Sequence, residues 1–452
     1  MKIALLPLYL KLYDDAAPGN HAGAQKFADD AASALRACSF EVVTVPLCRL
    51  AGEFQAAVKK FEEEKCEVLV TLHTAYSPSL ESIDALAGTS LPLVVFDTTP
   101  AGEFEFAFGG KLMLNHGIHG VQDLCNLLLR RGKRFLLCAG HYQDPSYMDR
   151  VERSIKAASL AYAFTHGRVG TVGSAFAGMG DFRVPEGEFG MQVVRYEDDP
   201  AYLPSEEEIN KEIAWEKENF SVAEDLPEQV QFNTVKNGLK LRKWAEKNSL
   251  DAFTVNFLDC DRKTGFSVVP FTECSKAMAR GVGYAGEGDV LTALLCGTLL
   301  KADKASTFTE MFCPDWKGNR IFLSHMGEMN LSLMDQKPFL FKRGWKFSDA
   351  DEMALAAGCL RSGRALLVNL SPGPEGKYTL LTAQIRLIAQ NDTTLRDMRG
   401  WFTPAGGESI GEFLESYSRN GGTHHSVLSY HGDFSMLADF AHLMGWDFKV
   451  IG

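Results

Sequence analysis

"CEVLVTLHTAYSP", residues 66–78, is a short apolar run that breaks into small and polar residues. Four other runs share its form: "KIALLPLYL" (2–10), "FEVVTVPL" (40–47), "LPLVVFDT" (91–98) and "KRFLLCAGH" (133–141). Amphipathic stretches near 22–37, 50–65, 79–88, 115–131 and 145–163 separate or follow them. Strands alternating with helices predict a doubly wound parallel sheet over residues 1–165. Ligands of such sheets sit beyond the carboxyl ends of the strands, where "HTAYSP" (73–78) and "FDTTPAGEF" (96–104) fall. No phosphate loop or dinucleotide glycine fingerprint follows the first strand.

The same texture continues through "GRVGTVGS" (167–174), a helix near 229–249, "DAFTVNF" (251–257), a helix through "FTECSKAMARGVG" (271–283) and "YAGEGDVLTALLCGTLLKA" (284–302). A central α/β domain over 166–303 is predicted. From 304 the pattern turns to β, with "STFTEMFC" (306–313), "RIFLSHMGEM" (320–329) and "ALLVNLSPGPEGKYTLLTAQIRLIAQ" (365–390), before a final helix and the strand "DFKVIG" (447–452). The fold class expected is therefore α/β, with doubly wound N-terminal and central domains and a mainly β C-terminal domain over 304–452. A chain of 452 residues, 46% hydrophobic, is long enough for three such cores.

The net charge of −12 is concentrated, because residues 196–228 carry twelve acids and two lysines. Within this excursion Ser205 and Glu208 form a capping box opening "SEEEINKEIAWEKENF" (205–220), which reads as a solvated surface helix. The remainder is nearly neutral and has no basic stripe for nucleic acid. The ten cysteines never form C-x-x-C, which fits neither a disulfide framework nor a thiolate zinc site. The opening "MKIALLPLYLKLYDD" reads as a first strand rather than a signal peptide, and no stretch is long enough to span a membrane. Reduced cytoplasm is the expected location.

Several side chains sit where burial would be costly. Glu310 shares its strand face with Phe308 and Phe312, and His325 shares one with Ile321 and Leu323. Glu287 lies where "GEGDVLTALL" turns helical, a place where an acid also suits a helix N-terminus. "GGTHHSVLSYHG" (421–432) holds His424, His425 and His431. If "THHSV" is extended, His424 and His425 face apart and serve a ligand differently, while His431 reads as structural or surface. Each residue has a structural explanation alone. Together two glutamates and two histidines form an N₂O₂ set for a divalent ion. Carboxylates and imidazoles without thiolates suit Mn²⁺ before zinc, and leave two positions for a chelating substrate.

"GYAGEGD" (283–289), "LSHMGE" (323–328) and "GGTHH" (421–425) resemble, in the same order, active-site segments of the L-fucose/L-arabinose isomerase family, nearest its L-arabinose isomerase branch. "STFTEMF", "LVTLHTAYSP" and "LNHGIHG" extend the likeness almost end to end. The resemblance implies a metal-dependent aldose–ketose isomerase, an intramolecular oxidoreductase acting on an open-chain pentose, hexose or deoxy sugar through an enediol. It places metal ligands on Glu287, Glu310, His325 and His425, with the two glutamates also the acid/base pair. Substrate contacts fall on His424, Thr254 and Phe257, and on His119 in "GIHG", acting across the subunit interfaces of a homotrimer or homohexamer. A non-catalytic sugar-binding protein and a metallohydrolase with the same ligands are the other readings. The chain departs from the family at the pocket edge: "PLYLKLYDD" stands where those enzymes carry a "GSQHLYG"-like segment, "FDTTPAGEFEF" replaces a polar "FHTQFN"-like one, and the longer tail is missing. The likeness therefore implies the reaction class rather than the sugar.

Overall fold

The computed structural model describes residues 1–104, 112–390 and 396–452, so the last two positions of "FDTTPAGEFEF" lie outside the described residues. The chain forms two compact units, one of Met1–Ala163 with Ser435–Gly445, the other of Phe164–Phe434 with Trp446–Gly452.

In the first unit, β1 (Lys2–Leu8), β2 (Glu41–Thr44), β3 (Val68–His73), β4 (Leu93–Asp97) and β5 (Phe135–Ala139) make a parallel sheet in the order β2-β1-β3-β4-β5. Strand β3 is buried throughout, and its alternate residues feed two cores. Val68, Val70 and Leu72 join Phe27 and Val151 on one face, while Leu69 joins Phe54 and Phe61 on the other. A period of two with both faces apolar is what a helix-covered parallel strand needs, which is why the run at 66–74 shows no polar alternation. Met436 and Leu443, from residues 435–445, pack against the first of these cores.

In the second unit, β6 (Arg168–Val172), β7 (Gln192–Arg195), β9 (Ala252–Val255) and β10 (Gly283–Gly286) form a parallel sheet in the order β10-β9-β6-β7. The strand β8 (Ser221–Val222) joins a larger sheet with β11 (Ser306–Asp315), β12 (Arg320–Ser324), β13 (Phe339–Arg343), β14 (Met353–Cys359), β15 (Gly363–Pro372), β16 (Tyr378–Leu387), β17 (Met398–Pro404), β18 (His425–Ser429) and β19 (Asp447–Ile451). Its order is β19-β16-β15-β18-β11-β12-β17-β14-β13-β8, mostly antiparallel. The fold class is thus the expected one. Helix Val290–Asp303, buried from Leu291 to Leu300, follows β10. A Cβ at Gly283 would collide with the backbone of Gly297 and Ala293, so the helix rests directly on the strand and anchors the turn between them.

Two expectations change. The shared face of Phe308, Glu310 and Phe312 ends early, because a register shift between Met311 and Cys313 interrupts β11. Phe308 is fully buried and Phe312 is 52% exposed, as a bulge re-aims the residues after it.

The acidic helix Glu206–Asn219 has its expected capping box, with Ser205 Oγ accepting the Glu208 N–H. Its inner face, however, is not solvated. Glu216 is buried and lies 2.6 Å from Lys276 Nζ, and Glu212 reaches the same Nζ at 2.7 Å and Arg242 at 2.8 Å. Composition reveals the acids but not the two cations waiting on other helices. Breaking one partner of a buried pair typically costs about 3–5 kcal/mol. Lys276→Ala is accordingly expected to lower stability by about that amount in denaturant unfolding; an unchanged midpoint would show that Glu216 finds other compensation.

Candidate metal centre

The site is built at the ends of β10, β12 and β18 and at the middle of β11, all in the second unit. Glu287 occupies the turn between β10 and helix Val290–Asp303, with φ +65, and Gly288 follows at φ +83. A left-handed non-glycine residue costs about 1–3 kcal/mol and persists only where its surroundings over-determine it. Here the Glu287 N–H donates to Val255 O at 2.9 Å, and its carbonyl accepts from the Phe176 N–H at 2.8 Å. Thr254 Oγ1 donates to Gly286 O and accepts from the Gly288 N–H. The buried Thr254 hydroxyl therefore braces the turn that aims Glu287.

The remaining side chains arrive by strand register. Glu310 of β11 lies opposite His425, the first residue of β18, and on its other side opposite Ser324, the last residue of β12. His325 follows Ser324 directly. Three adjacent strands thus bring an imidazole, a carboxylate and an imidazole together beside the middle of β11, where β18 begins and β12 ends. The His325 and His425 rings are 5.8 Å apart, and Phe308 presents its ring to both, at 5.0 and 5.1 Å.

Each histidine has a carboxylate on Nδ1, at 2.9 Å in all three cases: His325 has Glu328, His425 has Asp289 and His424 has Asp181. In His424 and His425 that leaves Nε2 turned toward Glu287. His425 Nε2 lies 3.5 Å and His424 Nε2 3.8 Å from Glu287 Oε2. Glu287, His424 and His425 each place one donor atom within 4.8 Å of the others. The expectation that the adjacent histidines face apart is overturned. The strand begins only at His425, so strand alternation does not extend back to His424, and the two rings sit 4.1 Å apart at an angle of 42°.

The electrostatics explain the tightness. Burial opposes ionisation of Glu287, but His424 and His425 outweigh it and hold the carboxyl down at about 2. Burial likewise disfavours a charged His425, yet Asp289 and Glu287 push it up to about 10. Burial pushes Glu310 upward, against the pull of His325, His425 and His424. His425 Nε2 is buried and makes no hydrogen bond. An unpartnered imidazole nitrogen facing a carboxylate, with a second carboxylate beside it, is a donor set that fits a divalent cation.

Phe257 is buried in an aromatic group with Phe176, Trp345 and Phe347, at ring separations of 5.6–5.9 Å. His119 belongs to the first unit, its ring 5.6 Å from that of His116. His431 lies on the surface, 3.7 Å from Asp303. Sequence reading missed Asp181, Phe182, Asp289 and Glu328. Phe182 stacks on the His425 ring at 5.4 Å and 15°. The signal for two of the acids was local, since Asp289 and Glu328 end "GEGD" and "SHMGE" beside residues already singled out. A cavity of about 630 Å³, lined by Phe182 and Gly288 among others, is of a size for a small ligand.

Two family models match the chain: the L-arabinose isomerase central domain over residues 189–304 and the L-arabinose isomerase C-terminal domain over 305–447. The L-arabinose isomerase of Aeromonas salmonicida is 24% identical over 421 residues, covering 86% of this chain and 81% of that protein. That of Tolumonas auensis is 25% identical over 422 residues, with the same coverage. Among solved structures, a periplasmic solute-binding protein from Actinobacillus succinogenes with bound D-allose is 12% identical over 67% of this chain and 92% of that one, with a TM-score of 0.18, too low to bear on the fold.

Proposed function

Because the chain belongs to the L-arabinose isomerase family and is an aldose–ketose isomerase, we propose that the centre at Glu287, Glu310, His325 and His425 holds a divalent cation, Mn²⁺ by its ligand chemistry, and interconverts an open-chain sugar through an enediol. The observation that carries this reading is the buried, unpartnered Nε2 of His425 turned toward Glu287. Such a cation supplies positive charge for the two substrate oxygens as negative charge develops on them.

The chain's own residues do the rest. Moving a proton between C1 and C2 requires a group that takes it from one carbon and returns it to the other, and carboxylates flanking that bond can do so. Glu287 and Glu310 come from different elements and approach the same histidines, the arrangement for one group to act at the carbon centre while the other serves the oxygens. His424 is a third exposed in its side chain and lies 2.9 Å from Asp181, as befits a contact to a ligand that comes and goes. Phe257 and its aromatic neighbours would form an apolar wall of the pocket and exclude water from the reacting carbons.

His119, in the first unit, is assigned to substrate contact in a neighbouring copy's site, in a trimer or hexamer. The proposed setting is the cytoplasm, with a small-molecule sugar as the only partner beyond copies of the chain. Among the described residues no helix is long and apolar enough to cross a membrane.

Treatment with a chelator is expected to abolish isomerisation, and Mn²⁺ to restore it better than Zn²⁺ or Mg²⁺. A screen of the purified protein with Mn²⁺ against pentoses, hexoses, deoxy sugars and acidic sugars reads both points at once. Full turnover in a metal-free preparation would remove the cation from the mechanism.

A further inference from the structure

We infer that Asp289 and Glu328 are positioning residues, which lock His425 and His325 into the tautomer and ring orientation that bind the cation. The inference rests on the reading of the centre just proposed. Both carboxylates are completely buried. Each has one oxygen occupied by a donor that is not a histidine: Asp289 Oδ1 accepts the Thr292 N–H at 2.8 Å, and Glu328 Oε1 accepts the Tyr284 hydroxyl at 2.7 Å. The second oxygen of each meets an imidazole Nδ1 at 2.9 Å.

An ionised carboxylate only accepts hydrogen bonds, so each of these contacts puts the imidazole proton on Nδ1. When the Nε2 proton is given up to a binding cation, the remaining proton stays on Nδ1 and Nε2 presents its lone pair, the form a metal requires of histidine. With the far oxygen anchored, neither carboxylate can swing away, and the imidazole it holds has one ring orientation rather than several. Tyr284 strengthens this for Glu328, because it belongs to β10, the strand that runs into Glu287. One short segment, from Tyr284 to Asp289, therefore supplies the proposed ligand Glu287, the brace of His425 and the anchor of the brace of His325. These acids are spaced for the purpose: Asp289 is two residues past Glu287, and Glu328 three past His325.

Partners of this kind typically cost 10–100-fold in metal affinity when removed. The test is titration of metal-free protein with Mn²⁺, reading free ion by electron paramagnetic resonance, with thermal unfolding of the same metal-free samples alongside. Asp289→Asn and Glu328→Gln are expected to bind Mn²⁺ about 10–100-fold more weakly than the unaltered chain, with Tyr284→Phe shifted less but in the same direction. A purely structural role would lower the metal-free unfolding temperature and leave the affinity of the folded fraction unchanged; that result overturns the inference. Should Glu328→Gln fail to fold, Tyr284→Phe decides for Glu328, since unchanged affinity there overturns its role. If the unaltered chain binds no Mn²⁺, the metal reading itself fails, an outcome distinct from variants that bind as tightly as their parent.

Discussion

Glu287→Gln and Glu310→Gln are each expected to lower turnover by at least about 10²–10⁴-fold, the usual contribution of general acid–base catalysis, while the protein stays folded. Glutamine keeps the shape and one acceptor oxygen but can neither take nor return a proton. The two variants should differ in a second measurement. Glu287 sits in a strained turn against two imidazoles, so its neutralisation leaves His424 and His425 without their shared carboxylate and should also weaken the cation. Glu310 lies where the β11–β18 ladder ends and the β11–β12 ladder begins, paired on both sides, so glutamine fits without disturbing the strands. Near-normal rates in either variant with metal bound would take that residue out of the proton transfer.

The second large effect separates the adjacent histidines. His425→Ala is expected to reduce metal affinity by at least tenfold, more than loss of a brace such as Asp289, because it removes a ligand and leaves Asp289 and Glu287 buried without the group between them. His424→Ala is expected to leave metal affinity within a few fold and to impair KM, kcat or both, since it removes a contact to the sugar. Metal titration of both variants checks this. Because His424, His425 and Glu287 offer three donor atoms within 4.8 Å, equal loss of the ion in both variants would make His424 a ligand as well. Loss in His424→Ala alone would reverse the assignment, and retention in both would discard the site.

The parallel sheets and the β-rich half were legible because burial leaves a pattern in the chain, an alternation where one face is covered and a continuous apolar run where all faces are. The run at 66–74 shows it for a strand covered on both faces, and "VLTALLCGTLL" shows it for a helix buried all round. Phe312 was misread for a related reason: a bulge inserts a residue without changing composition, so the alternation looks intact where the pairing is not. The capping box at Ser205 was readable, being confined to four residues, whereas the pairing of Glu212 and Glu216 with Lys276 was not, since the partners are about sixty residues apart.

The site divides along the same line. Sequence alone determined that Glu310 and His325 were out of place on apolar strand faces, grouped them with Glu287 and His425 as an ion-binding set, and through motif likeness named the isomerase family. Only the tertiary structure decided that His424 and His425 converge, that Thr254 braces the Glu287 turn, that Asp289 and Glu328 each hold a histidine, and that Asp181 lies beside the third. The physical reason is that an imidazole's role depends on what its other nitrogen meets. That contact is made in space, over 136 residues in the case of Asp289 and His425, and no local period records it.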